Sequence, residues 1–127
     1  MRGFIYLISF ENTNDIYIGK TIQDINERLK KHKSSDDSSV YYHMKANNIS
    51  NAYIDIIDSI DMTEDLSHLK NKYDDYKIQH YNLNNFKLST LEMFHIHNYI
   101  SDAKYNVINK KIHCKSIVNS YHDMFFL

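Results

Sequence analysis

The sequence predicts an α/β (α+β) domain in which a small three-stranded, mainly antiparallel sheet is flanked by helices. Three stretches carry that expectation. Gly3 to Lys33 reads as strand, turn, strand, helix; Tyr53 to Ile57 reads as a third strand; Leu88 to Ile100 has the spacing of a buried helix.

In the first stretch, Phe4-Ile5-Tyr6-Leu7-Ile8 is β-branched and aromatic, Glu11 to Asp15 is a run of turn formers, and Ile16-Tyr17-Ile18 is a second β-rich run. Gly19 breaks the strand. Thr21 and Asp24 supply a Thr-x-x-acid helix start, and Ile22, Ile25 and Leu29 give that helix its apolar stripe. Asp24, Arg28 and His32 then stack on a neighbouring face. Tyr6 and Tyr17 lie on opposite limbs of a hairpin, so the pairing register decides whether they share a face.

Ser34 to Ser39 is a polar loop, Val40 to Asn47 a short helix carrying His43, and Asn47 to Asn51 turn material. Tyr53-Ile54-Asp55-Ile56-Ile57 is apolar on both faces, which suits a central strand. Met62, Leu66, Leu69, Tyr73 and Tyr76 step by three and four, so an elongated amphipathic helix is expected near 62–80, capped by Thr63. Ile117, Val118, Tyr121, Met124 and Phe125 suggest a C-terminal helical tail that packs back on the domain or makes a dimer contact. A single domain over 1–127 is the simplest organisation for a chain of 127 residues.

Composition is that of a globular domain, with 43% hydrophobic and 24% charged residues. No apolar run approaches the roughly 20 residues of a membrane span, and Glu11, Asn12 and Asn14 interrupt the first apolar stretch, unlike a signal peptide. With Cys114 the only cysteine, no internal disulfide forms, and an intracellular compartment, cytoplasm or nucleus, is expected. Abundant Asn, Ile, Lys, Tyr and Asp reflect AT-rich codons, as in a virus or an endosymbiont. The net charge of −1 and pI near 6.7 exclude a strongly basic nucleic-acid binder. Positive charge is local instead, in Arg28, Lys30, Lys31 and Lys33, and reads either as a solvated helix face or as a surface that phosphate approaches.

Phe4-Ile5-Tyr6, then Tyr17-Ile18-Gly19, then Arg28 and His32 on the next helix, resemble the GIY-YIG nuclease module. The likeness resumes at Leu91 to Ile96, around Glu92, and at Tyr105 to Asn109. One departure is visible: Phe4 stands where the motif's first glycine is expected, with Gly3 just before it. The resemblance implies a small α/β domain that cuts DNA phosphodiesters with one divalent metal ion, Mg²⁺ or Mn²⁺. It makes Glu92 the metal ligand. It also places Tyr6, Tyr17, Arg28 and His32 in the catalytic group, and brings Asn106, or Asn109 if the register slips, close by.

Glu92 falls inside the stripe of Leu88, Leu91, His95 or Ile96, and Tyr99, where an ionised carboxylate is costly unless paired or bound to a cation. Ser89-Thr90-Leu91-Glu92 also spells a capping box, in which Glu92 would only satisfy the Ser89 amide. The start of the helix separates these readings, because a helix beginning before Leu88 makes the box spurious. In the expected chemistry Arg28 donates to phosphoryl oxygens and Tyr6, its proton loosened by a metal and a guanidinium, activates water. Tyr17 and His32 orient phosphate and water, while Lys20 and Lys31 add positive charge for the substrate. The residues leave open which group is the base. A zinc site among His95, His97, His113, Cys114 and His122 fits poorly, since structural zinc prefers paired ligands in two knuckles.

The function expected is therefore a metal-dependent DNA endonuclease in repair, recombination or mobile-element processing. Its intrinsic DNA affinity would be weak, favouring branched or nicked DNA, with a homodimer or protein partner supplying specificity. The alternative is a catalytically silent module of the same fold that binds nucleic acid or protein.

Overall fold

The computed structural model describes residues 1–69, 80–110 and 125, and the side chains of 80–82 lie outside that description. Strand β1 (Arg2–Phe10) and strand β2 (Asp15–Thr21) form the expected hairpin, turned at Asn12 with a positive φ of 59°. Helix α1 (Ile25–Ser34), helix α2 (Ser39–Ala46) and strand β3 (Ala52–Asp61) follow, then helix α3 (His80–Ile100) and strand β4 (Asn106–Val107). The sheet has four strands rather than three, in the order β3-β1-β2-β4. β1 pairs antiparallel with β2 and with β3, and the two-residue β4 adds parallel to Asp15 and Ile16.

β1, not β3, is the central strand. Its alternate residues feed two cores: Ile5 packs with Ile16, Ile18, Leu88, Leu91 and Ile96 of the α3 side. Tyr6, Ile8 and Phe10 pack with Val40, Ile25 and Leu29 of the α1–α2 side. β3 lies at an edge, where Tyr53 and Ile56 are exposed. Its apolar run predicts a strand buried on both faces, but at the sheet edge Ile56 stays exposed although it pairs with Tyr6, and a register shift opposite Ile5 and Tyr6 interrupts the alternation between Ile56 and Asp58.

Other boundaries move for local reasons. α1 starts at Ile25 because the Asp24 carboxylate caps it, accepting from the amides of Asn26 (2.9 Å) and Glu27 (3.2 Å). Thr21 remains in β2, and Ile22, expected on the apolar stripe, is exposed. The helix expected near 62–80 does not begin at its Met62 end. The Asp61 carboxylate accepts from the Thr63 amide and hydroxyl, holding a turn there, and within the described residues 62–69 helical backbone is confined to one 3₁₀ turn at 67–69. Residues 70–79 and, apart from the helical Phe125, residues 111–127, which include the expected C-terminal helical tail, lie outside the described residues.

Both glycines are places where backbone meets another group closely. A Cβ on Gly3 would lie 2.8 Å from Met62 Sδ and 2.9 Å from Leu88 Cδ2, so this glycine admits α3 against β1. Phe4 can therefore occupy the motif position without obstructing that contact. A Cβ on Gly19 would overlap the Tyr6 phenol, which crosses β2 at that point. No helix among the described residues is long and apolar enough to cross a membrane.

Candidate active site

The hairpin register resolves the tyrosine question. Tyr6 is paired with Gly19, and Tyr17 with Ile8; Tyr6 and Ile8 share one face of β1, so both phenols stand on the α1 side of the sheet. Their ring centroids are 6.4 Å apart. α1 packs over them and presents Arg28 and His32, one turn apart. His32 Nε2 lies 2.7 Å from Tyr6 Oη, and Arg28 Nε donates to the same oxygen at 3.3 Å. The His32 ring meets the edge of Tyr17 at 5.0 Å. Four of the expected residues thus form one contiguous group.

A fifth member of that group escaped sequence reading. His32 Nδ1 is 2.7 Å from Ser38 Oγ, and Ser38 Oγ also accepts from the Val40 amide as the N-cap of α2. The cap itself is legible, since serine precedes a helical run. Its second partner depends on how α2 folds back on α1.

Glu92 comes from the other side of the sheet, on α3. That helix begins well before Leu88, so Ser89 is an interior residue and the capping-box reading fails. Among the described residues nothing hydrogen-bonds or ion-pairs with the Glu92 carboxylate. Burial pushes its pKa up to about 7, and the Lys20 charge offsets only part of that. Lys20 Nζ hydrogen-bonds Ser89 Oγ, one turn before Glu92, and so ties the end of β2 to α3. The Glu92 charge in turn raises the pKa of both Tyr6 and Tyr17, which places the carboxylate within electrostatic reach of both phenols.

These shifts alter one expectation. Burial, then Tyr17, hold the Tyr6 phenol well above its ordinary pKa, and the opposing hydrogen bond and charge of Arg28 do not overcome them. Tyr6 by itself is a weaker acid than a free phenol, not a stronger one. Tyr17 is raised mainly by burial, then by Glu92. His32 is pushed down to about 4, by burial first and the Arg28 charge second, so it is a neutral imidazole at physiological pH.

The asparagines divide their work. Asn109 Oδ1 accepts from the Ile18 amide at 3.0 Å and its Nδ2 donates to the Ile18 carbonyl at 2.7 Å, continuing the β2 pairing past the end of β4. Asn106 instead donates to Asp15 at 2.9 Å, and Asp15 also pairs with His43 at 3.0 Å. Asn106 is thus engaged at the start of β2, and Asn109 is the one on the Tyr17-Ile18-Gly19 segment. Lys31 borders an open cavity of about 380 Å³ together with Tyr17, Arg28 and His32, while its Nζ donates to Gln23.

The residues fit a hard divalent cation of limited protein ligation. A half-buried carboxylate without a hydrogen-bond or ion-pair partner among the described residues, within electrostatic reach of two phenols, is the chemistry such an ion relieves, and Mg²⁺ in particular keeps most of its coordination for water and phosphate. No three His, Cys, Asp or Glu side chains cluster as a metal site among the described residues, and His113, Cys114 and His122 lie outside them.

Comparison with known families is consistent with this geometry. Residues 2–64 match the model of the GIY-YIG catalytic domain. No curated protein and no solved structure matches the chain. The matched span contains the phenols, Arg28, His32 and Ser38; Glu92 and Asn109 lie beyond it. Through the module built on its N-terminal half, the chain belongs to the GIY-YIG family of nucleases.

Proposed function

We propose that the chain is a metal-dependent DNA endonuclease that hydrolyses phosphodiester bonds, and that Tyr6, Tyr17, Arg28, His32 and Glu92 are its catalytic residues. The observation that carries this reading is the shared Tyr6 oxygen, held between His32 Nε2 at 2.7 Å and Arg28 Nε at 3.3 Å, with the Glu92 charge acting on the same phenol.

A Mg²⁺ or Mn²⁺ ion held by Glu92, when bound, supplies positive charge to the phosphate and to the leaving 3′ oxygen. The chain's own groups do the rest. Arg28 uses one N–H on Tyr6, and the remaining donors of its planar fork are available to non-bridging phosphate oxygens. Tyr6 need never become a free phenolate. With the His32 proton on Nδ1, donated to Ser38 Oγ, Nε2 presents a lone pair to Tyr6. Attacking water then gives a proton to Tyr6 Oη as the Tyr6 proton passes to His32 Nε2, and the imidazolium so formed is offset by the substrate's negative charge. This relay fits the two pKa shifts: the phenol is too weak an acid to ionise alone, and the imidazole is neutral and able to accept. Tyr17 orients the phosphate, with Lys20 and Lys31 adding charge along its approach.

The near-neutral overall charge implies weak intrinsic affinity, so recognition of nicked or branched DNA shape, or a partner, supplies selectivity. Repair, recombination or mobile-element processing is the corresponding role. Incubation with Mg²⁺ or Mn²⁺ and a panel of duplex, flap and junction DNA tests the reading. Metal-dependent nicking that Arg28→Ala and Glu92→Ala abolish is expected. DNA binding with no cleavage under any metal would instead identify a catalytically silent module.

A further inference from the structure

The hydrolysis described above leaves half of the adjoining cavity unused. This space of about 380 Å³ is large enough for a nucleotide, and its lining is chemically mixed. Arg28 and Lys31 of α1 form a cationic wall. Ser35 and Asp37 of the segment between α1 and α2, and Ser39 at the start of α2, line the same cavity.

Asp37 does not suit a groove built only for phosphate, since a carboxylate beside the phosphate path repels it. It is exposed, and among the described residues no hydrogen bond or ion pair engages its carboxylate. The hydroxyls of Ser35 and Ser39 are likewise uncommitted, whereas Ser34 and Ser38 spend theirs on the Lys30 carbonyl and on His32. Two cations thus share a nucleotide-sized cavity with a carboxylate and two hydroxyls that have no partner among the described residues. A nucleotide has the matching polarity, with phosphate at one end and base N–H donors at the other.

We propose that this cavity is a nucleotide subsite adjoining the cut phosphate, in which Arg28 and Lys31 hold a phosphate and Asp37 reads an unstacked base bearing an amino group. The subsite deepens the nuclease reading and rests on it for its place beside the cut. Donor patterns rank the bases. Guanine offers adjacent N1–H and N2–H groups that a carboxylate accepts side by side, and cytosine and adenine offer one amino group. Thymine's N3–H lies between two carbonyl oxygens that a carboxylate repels. An unpaired base enters most easily, because a paired one must first leave its stack. The substrate class is therefore DNA with an unpaired, amino-bearing base next to the cut, as at a flap or junction.

Two experiments test the subsite separately from the chemistry. In a metal-free amide NMR titration with dGMP and with dTMP, shifts are expected at Ser35, Asp37 and Ser39, with dGMP bound at least about five-fold tighter. Asp37→Ala, an exposed loop change that the fold tolerates, should bring the ratio close to one. In the cleavage arm, flaps carrying guanine or thymine at the unpaired position are compared, and the guanine preference should vanish in Asp37→Ala. Equal binding of both nucleotides by the wild-type protein, or a preference that survives Asp37→Ala, overturns the proposal. If no DNA is cut at all the nuclease reading fails, and the titration still decides the subsite.

Discussion

Burial holds the Glu92 carboxyl at a pKa of about 7, so near neutrality a proton and a cation compete for it. At pH 6 only about a tenth of the carboxyl is ionised, and at pH 8 about nine tenths. Mn²⁺ binding measured calorimetrically should therefore be about ten-fold weaker at pH 6 than at pH 8, and Glu92→Gln should lose both the binding and its pH dependence. Affinity independent of pH across that window would place the ion elsewhere. For Tyr6 the expected effect is on rate: Tyr6→Phe removes the hydroxyl shared by His32 and Arg28, and should slow single-turnover nicking by about 10²–10⁴-fold with DNA binding retained. An unchanged rate would assign the proton transfer to Tyr17 or to His32 acting directly on water.

The β1–β2 hairpin turns two scattered tyrosines into one surface, and Gly19 is where it is most sensitive. Gly19→Ala places a methyl group in the Tyr6 phenol, and should cost about 1–3 kcal/mol in denaturant unfolding while displacing the phenol from His32. Asn109→Ala removes two hydrogen bonds to the Ile18 backbone and should cost about 1–3 kcal/mol. The strand character of Phe4 to Ile8 and Ile16 to Ile18 is local, carried by β-branched and aromatic residues, and could be read from sequence. So could Arg28 and His32, because helical spacing alone sets them one turn apart. What escaped depended on distant parts of the chain. β3 looked central because its composition is apolar, but strand order is decided by which partners arrive, and as an edge strand β3 leaves Tyr53 and Ile56 exposed. Thr63 does not start a helix because its amide and hydroxyl donate to Asp61 within a turn. The Ser38–His32 contact needed α2 to be folded against α1, and the choice between Asn106 and Asn109 needed the parallel register of β4.

Across the whole molecule two of the perturbed groups, Glu92 and His32, set opposing pH limits. The Glu92 pKa is raised from 4.5, so its contribution to stability is fully present below about pH 4.5 and is lost as pH rises through about 7. The His32 pKa is lowered from 6.5, so its contribution is present above about pH 6.5 and is lost as pH falls through about 4. In metal-free buffer Glu92→Gln should thus be more stable than wild type at pH 8, by up to about 3 kcal/mol, and nearly equal to it at pH 4.5. A variant no more stable at pH 8 would mean that the carboxylate is not held in a desolvated site.

Joining the two faces of the sheet at one reactive centre is the larger claim: α1 brings Arg28 and His32 from one side, and α3 brings Glu92 from the other. Single-turnover nicking of a flap or junction DNA by wild type, Arg28→Ala and Glu92→Gln, with Mn²⁺ at pH 8, tests it most directly. Cleavage by the wild-type chain, reduced at least about 100-fold in each folded variant, is the expected result. Wild-type rates in either variant would contradict it.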